Sequence, residues 1–190
     1  MKILIFDTET GGINPLYNDI LQLSYQIVNL NTRTVEKEVN HYFPWPEDKR
    51  RVQWGAIQVN GLTEAYLATK TLSERYDAVM EFYDDMAECQ YIVAHNGDFD
   101  RKFIDATASR EGIPTTFKKW KTMIDTMKTT TNLCCIPCRK KEGYKWPKLI
   151  ELAEFLEIDT DDINLHDSSA DVELTKRCFM TLVDDGFYTL

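Results

Sequence analysis

Lys2-Ile3-Leu4-Ile5-Phe6-Asp7-Thr8-Glu9-Thr10-Gly11-Gly12 is an apolar run that closes on two acids and two glycines. A short run rich in β-branched and aromatic residues suits a central strand buried on both faces. Residues 2–6 therefore read as such a strand, and Gly11-Gly12 as the turn that stops it. Asp7 and Glu9 stand two apart at its end. Side chains alternate along a strand, so the two carboxylates face the same way. Like charges on one face repel unless a cation or a hydrogen-bond donor lies between them. Taken alone, Asp-Thr-Glu also reads as a solvated strand end.

Outward from this strand, residues 20–30 and 33–43 are two further strand-like runs. Asn29-Leu30-Asn31-Thr32 supplies the turn of an antiparallel hairpin between them, and Pro44 and Pro46 end the second. Tyr76, Val79, Met80, Phe82, Tyr83 and Met86 recur at helical spacing, which predicts a helix over 72–89. A buried strand at 91–94, a helix over about 98–111 and a strand at Met123-Ile124 form a strand-helix-strand crossover. A short helix to about 133 follows. Helices at about 147–156, with Pro147 in the first turn, and 169–183 complete the chain. The pattern is α/β with a mixed sheet. No repeat or low-complexity linker interrupts it, so residues 1–190 read as one domain.

The 190 residues carry 22 Lys+Arg against 31 Asp+Glu, a formal net charge of −9, with 43% hydrophobic and 28% charged residues. That balance is globular, and no apolar run approaches the roughly 18 residues of a membrane span. An acid at position 7 comes too early for a signal peptide. Five cysteines make an odd set for a disulfide framework, so a cytoplasmic location is expected. The acidic balance excludes a uniformly basic nucleic-acid binder. Residues 118–148, however, hold nine basic groups, Lys140 and Lys141 among them, against Asp125 and Glu142. That stretch is a candidate grip on a phosphate backbone, or a solvated loop. Cys134, Cys135 and Cys138 sit within it. One Cys-x2-Cys pair with no nearby histidine is half a zinc site and reads as a surface loop with thiols.

Two further acids occupy costly positions. On the helical projection Asp100 falls between Phe103 and Ile104, on the apolar arc of its helix. An unpaired carboxylate there is expensive. Asp171 lies within the arc of Leu174, Cys178, Phe179 and Leu182, although Ser168-x-x-Asp171 also reads as a helix cap. Buried acids that stay ionised coordinate metals or pair with bases, and neither helix offers an inward base. All-oxygen ligands point to Mg²⁺ or Mn²⁺ rather than zinc, and four acids suffice for two such ions. Of the three histidines, His41 reads as packing beside Tyr42 and Phe43. His95 opens His95-Asn96-Gly97-Asp98-Phe99-Asp100, and His166 stands five residues before Asp171. An imidazole titrates near neutral pH, so either is a candidate base.

These residues resemble the DEDDh family of 3′–5′ exonucleases, which includes the proofreading exonuclease of bacterial DNA polymerase III. The motifs are Phe6-Asp7-Thr8-Glu9-Thr10-Gly11-Gly12, then His95-Asn96-Gly97-Asp98-Phe99-Asp100, then His166-Asp167-Ser168-Ser169-Ala170-Asp171. Softer similarities lie at Asn60-Gly61-Leu62-Thr63, Ile124-Asp125-Thr126 and Lys145-Trp146-Pro147-Lys148-Leu149. The resemblance implies a ribonuclease H-like fold, a mixed five-stranded sheet flanked by helices. It implies that Asp7, Glu9, Asp100 and Asp171 bind two divalent cations, with His166 as the general base that deprotonates the attacking water. Thr10, Gly11, Gly12, His95, Asn96 and Phe99, and less directly Asn60, Gly61, Leu62 and Thr63, are implied to hold the terminal nucleotide. The expected substrate is a single-stranded 3′ end, DNA favoured over RNA, with a DNA polymerase as a partner. An RNA-trimming exonuclease and a non-catalytic end-binding domain are the rival expectations.

Overall fold

The computed structural model describes residues 1–139 and 142–190. Its centre is β1 (Lys2–Thr10), which runs past the apolar stretch so that Asp7 and Glu9 lie on the strand itself. The extension is held by antiparallel pairing with β2 (Ile20–Asn29), in register from Lys2↔Asn29 to Glu9↔Gln22, before a shift at Thr10. β2 pairs antiparallel with β3 (Thr34–Tyr42). On the other side β1 pairs in parallel with β4 (Tyr91–Ala94), and β4 with β5 (Thr122–Asp125). The sheet order is β3-β2-β1-β4-β5, the mixed five-stranded sheet that the strand pattern predicts.

Alternation along β1 sends its side chains to two cores. Leu4 and Phe6 pack with Tyr25, Phe82 and Phe103 under α3 (Arg75–Ala87) and α4 (Gly97–Arg110). Ile3 and Ile5 pack with Val93, Val172 and Phe179 under α8 (Ser168–Asp184). Helices on both faces leave the carboxyl ends of β1, β4 and β5 along one open edge, where ligands of α/β sheets bind.

The connection from β3 to α3, to which sequence patterning assigns no element, holds α1 (Trp54–Asn60) and α2 (Glu64–Leu67). Their Ile57, Leu62 and Leu67 cover Leu21 in a small separate core. After β5 come α5 (Thr126–Thr129), α6 (Thr131–Cys134) and α7 (Leu149–Phe155). Pro147 is outside α7 rather than in its first turn. Lys148 is the N-cap, and the Pro147 carbonyl accepts from His95 Nε2 at 3.0 Å.

Among the described residues, the basic segment is divided by a strand. β5 runs through it, so Lys118, Lys119 and Lys121 precede the strand while Lys128, Arg139, Lys145 and Lys148 follow it. Of the second group, Lys128 lines a cleft with Phe99, while Arg139 and Lys145 line a separate cleft with Cys138 and Glu151. Lys128 is paired with Asp98 at 2.5 Å and Lys145 with Glu151 at 2.5 Å. Lys140 and Lys141 lie outside the described residues. No helix among the described residues is long and apolar enough to cross a membrane.

Candidate active site

Three elements bring the four acids together. Asp7 and Glu9 share the face of β1 that α8 covers, and the first turn of α8 carries Asp171 towards them. The capping reading of Ser168 is replaced. Asp167 is the N-cap, accepting from the Ser169 amide at 3.0 Å, while Ser168 is buried with its Oγ 2.6 Å from Ser24 Oγ. Asp171 is thereby released from capping. Its Oδ2 accepts from the His166 amide at 3.3 Å, and its buried Oδ1 has no partner.

Asp100 arrives from the first turn of α4, only 3% exposed. Its Oδ1 accepts from both the amide (3.0 Å) and the hydroxyl (2.7 Å) of Thr8, which fixes it against β1. The approach of α4 depends on the two residues before its first turn is complete. Asn96 takes a left-handed conformation (φ 73°), tolerated by asparagine, and donates its amide to Asp125 Oδ1 at 3.1 Å. At Gly97 a Cβ would collide with Met123 Sδ and stand 2.9 Å from Ala94 Cβ.

Burial, with the charges of Asp100, Asp171 and Glu9, raises the Asp7 carboxyl well above its ordinary range. Burial and then Asp171 push Glu9 up to about 8. Burial raises Asp100 to about 7 against the opposing Thr8 hydrogen bonds, and Asp171 to about 6 against the His166 amide. Four carboxyls that resist ionisation side by side, one with an orphaned buried oxygen, form a donor set suited to hard cations. Glu9, His166 and Asp171 each offer a ligand atom within 4.8 Å of the others, the one such grouping among the described residues. His166 is exposed and adopts φ 69°, a left-handed conformation that aims its amide at Asp171.

The residues expected to hold a nucleotide separate into several places. Thr10, Gly12, Asn60 and Phe99 line one cleft of about 400 Å³ with Glu9, and Ile13, Gln53, Gly55 and Val59 are also among its walls. The last three come from the α1 region and were not legible in the sequence; the Asn60-Gly61 helix end, with Gly61 at φ 70°, is the one signal that marks it. Asn60 Nδ2 also donates to the Thr10 carbonyl at 3.1 Å. Gly61 and Leu62 line a neighbouring cleft of about 330 Å³ with Asn60, His166 and Asp167. Thr63 instead caps α2, accepting from the Tyr66 amide at 3.0 Å. Gly11 lines neither of these two clefts. A Cβ there would stand 2.7 Å from the Arg51 carbonyl, so its smallness serves the close approach of the chain to itself. His95 is likewise spent internally, Nδ1 at 3.0 Å from Thr126 Oγ1 and Nε2 at 3.0 Å from the Pro147 carbonyl, and burial lowers its pKa. Asn96 lines a further cleft on the other side of Phe99.

The profile of the Exonuclease family (RNase_T) matches residues 4–179. Among curated relatives, DNA polymerase III PolC-type of Streptococcus sanguinis is 23% identical over 184 residues, 96% of this chain and 11% of the relative. The PolC-type enzyme of Caldanaerobacter subterraneus subsp. tengcongensis is 24% identical over 185 residues, 96% and 12%. The chain thus spans about a tenth of these relatives. E. coli exonuclease I in complex with a dT13 oligonucleotide superimposes with a TM-score of 0.75 at 18% identity, over 95% of this chain and 40% of that one. The nuclease domain of 3′hExo, a DEDDh family member bound to rAMP, gives 0.71 at 21% identity, over 97% and 92%. These likenesses establish the ribonuclease H-like exonuclease fold. With the family match spanning the sheet and α8 up to Phe179, the chain belongs to the Exonuclease family.

Proposed function

We propose that residues 1–190 act as one exonuclease domain that removes nucleoside 5′-monophosphates from the 3′ end of single-stranded DNA. In this reading Asp7, Glu9, Asp100 and Asp171 hold two divalent cations, Mg²⁺ or Mn²⁺, and His166 is the general base. The observation that carries it is the unpartnered, buried Asp171 Oδ1 within a group of carboxyls that all resist ionisation. A buried acceptor without a donor is costly, and a cation is the partner that satisfies it and the neighbouring charges together.

Two such cations, when bound, stabilise charge on the attacking and leaving oxygens of a phosphoryl transfer. The chain does the rest. The terminal nucleotide occupies the cleft of Thr10, Gly12, Asn60 and Phe99, which opens beside Glu9. His166, at the exposed rim with a ring nitrogen within 4.8 Å of the Glu9 and Asp171 carboxylates, takes a proton from the attacking water. The new P–O bond forms, the bond to the 3′ oxygen of the preceding nucleotide breaks, and that oxygen takes up a proton.

DNA is favoured by the PolC-type relatives and by the dT13 bound to exonuclease I, and the PolC relation supports a DNA polymerase as partner. The rAMP bound to 3′hExo supports RNA as the second reading. Digestion of 5′- and 3′-labelled DNA and RNA with Mg²⁺, Mn²⁺ or chelator tests both. The expected result is 3′-to-5′ shortening of DNA that chelator abolishes. Equal rates with chelator would remove the metal assignment, and faster loss of RNA would replace DNA by RNA.

A further inference from the structure

The register of β1 against β2 sets a neutral polar side chain opposite each acid of the central strand. Glu9 pairs with Gln22, and Asp7 with Ser24. Cross-strand partners point to the same face, so Gln22 and Ser24 share with the acids the face that α8 covers. Both are buried. Gln22 Nε2 donates to Asp167 Oδ1 and to Asn40 Oδ1, each at 3.1 Å, and Gln22 Oε1 accepts from the Ser168 amide at 3.4 Å. Ser24 Oγ stands 2.6 Å from Ser168 Oγ and donates to Asn40 Oδ1 at 3.1 Å. Apolar packing of α8 on β1 is carried by Val172 and Phe179 against Ile3 and Ile5. The segment ahead of Val172, which holds His166 and Asp171, meets β2 through these hydrogen bonds instead. Hydrogen bonds fix direction where apolar contacts do not. The chemistry of the group matters too. An amide supplies both the donor that Asp167 needs and the acceptor that the Ser168 amide needs. It is also neutral, whereas a base there would offset the acids as a cation does and a carboxylate would add a like charge.

We propose that Gln22 and Ser24 are positioning residues of the site: through Asp167 and Ser168 they dock the first turn of α8 on the sheet and so fix Asp171 and His166 against Glu9 and Asp7. The proposal rests on the exonuclease reading for what the assembled residues do. The docking itself stands on the register and the hydrogen bonds.

Gln22→Met keeps the side-chain volume and removes both bonds to α8. On a dT oligonucleotide kcat should fall about 10- to 100-fold with KM within about twofold of wild type, and Mn²⁺ binding, followed by electron paramagnetic resonance of the free ion, should weaken by a similar factor. Gln26→Met is the control. Gln26 is buried on the same face, opposite Ile5, and reaches α8 at Glu173 (3.4 Å), beyond Asp171. It should leave kcat and Mn²⁺ binding unchanged. Equal losses in the two variants, or a loss in KM alone, would overturn the proposal in favour of a general loosening of α8. In an Asp167→Ala background Gln22→Met should cost about threefold at most, since the partner it acts through is gone; an undiminished cost would also overturn it. Should Gln22→Met fail to fold, Ser24→Ala decides, with a loss of about fivefold in the same two quantities supporting the proposal and wild-type values overturning it. A wild type that neither shortens the strand nor binds Mn²⁺ counts against the exonuclease reading alone. Amide hydrogen exchange of residues 168–171 in EDTA then still decides the docking. Exchange about tenfold faster in Gln22→Met but not in Gln26→Met supports it, and unchanged exchange overturns it.

Discussion

At the residue scale, the acids differ in what surrounds them, and that sets what a substitution does: Thr8 holds Asp100 and the His166 amide holds Asp171, whereas Asp7 faces other acids. Asp7 has burial and four acids, Asp100, Asp171, Glu9 and Asp167, raising its carboxyl. Asp7→Asn is therefore expected to fold, to melt higher than the wild type in chelator at pH 8, and to lose nuclease activity by at least about a hundredfold. Circular-dichroism melting and an oligonucleotide assay check the two halves. Wild-type activity in this variant would sink the assignment of Asp7. His166 stands at the rim with its ring exposed, so His166→Ala should lower turnover by about 10²-fold or more and strand affinity much less. Turnover unchanged between pH 6 and 8 would remove it as the base.

At the scale of elements, the site depends on how closely α4 meets β4 and β5. Gly97 sits where a side chain would meet Met123 and Ala94, and three residues later the same helix delivers Asp100 to Thr8. Gly97→Ala is expected to cost about 1–3 kcal/mol by overpacking and to impair activity as α4 is displaced. Gly55, where an added Cβ would meet nothing within 4 Å, is the control: Gly55→Ala should leave stability unchanged or slightly raised. Denaturant midpoints of the two variants decide; equal midpoints would show that α4 yields without strain. Among these elements, the hairpin and the long helices were legible in the sequence because their apolar repeats extend over two or more turns. α1 was not, since seven residues make too few repeats to register and its partner, Leu21, lies in another strand.

Over the whole molecule, stability follows the protonation of the acid cluster. Asp171, Asp100 and Glu9 titrate at about 6, 7 and 8 in the fold, against ordinary values near 4 in the unfolded chain. The folded state therefore binds more protons than the unfolded one across that window, and its stability falls as pH rises from about 4 to 8. In chelator the melting temperature should drop by several degrees between pH 5.5 and pH 8, and Mg²⁺ or Mn²⁺ should restore it at pH 8. Asp171→Asn should flatten the pH dependence. A melting temperature indifferent to pH and to cation would contradict the cluster.

The fold class, the crossover through α4 and the inward facing of Asp100 were all determined by the sequence itself. Each is a matter of period, and period is a local property of the chain. Tertiary structure alone decided how particular side chains are used. His95 belongs to a recognisable motif, yet its ring is engaged by Thr126 and Pro147, 31 and 52 residues away. Gly11 is small for the sake of Arg51, and Asp167 rather than Ser168 caps α8. The basic residues of 118–148 share one stretch of chain, but β5 runs between the described ones, with Lys118, Lys119 and Lys121 before it and Lys128, Arg139, Lys145 and Lys148 after it. The physical reason is the same in each case. A hydrogen-bonding atom, or the space beside a Cα, is claimed by whichever segment folds against it, and that segment is distant in sequence.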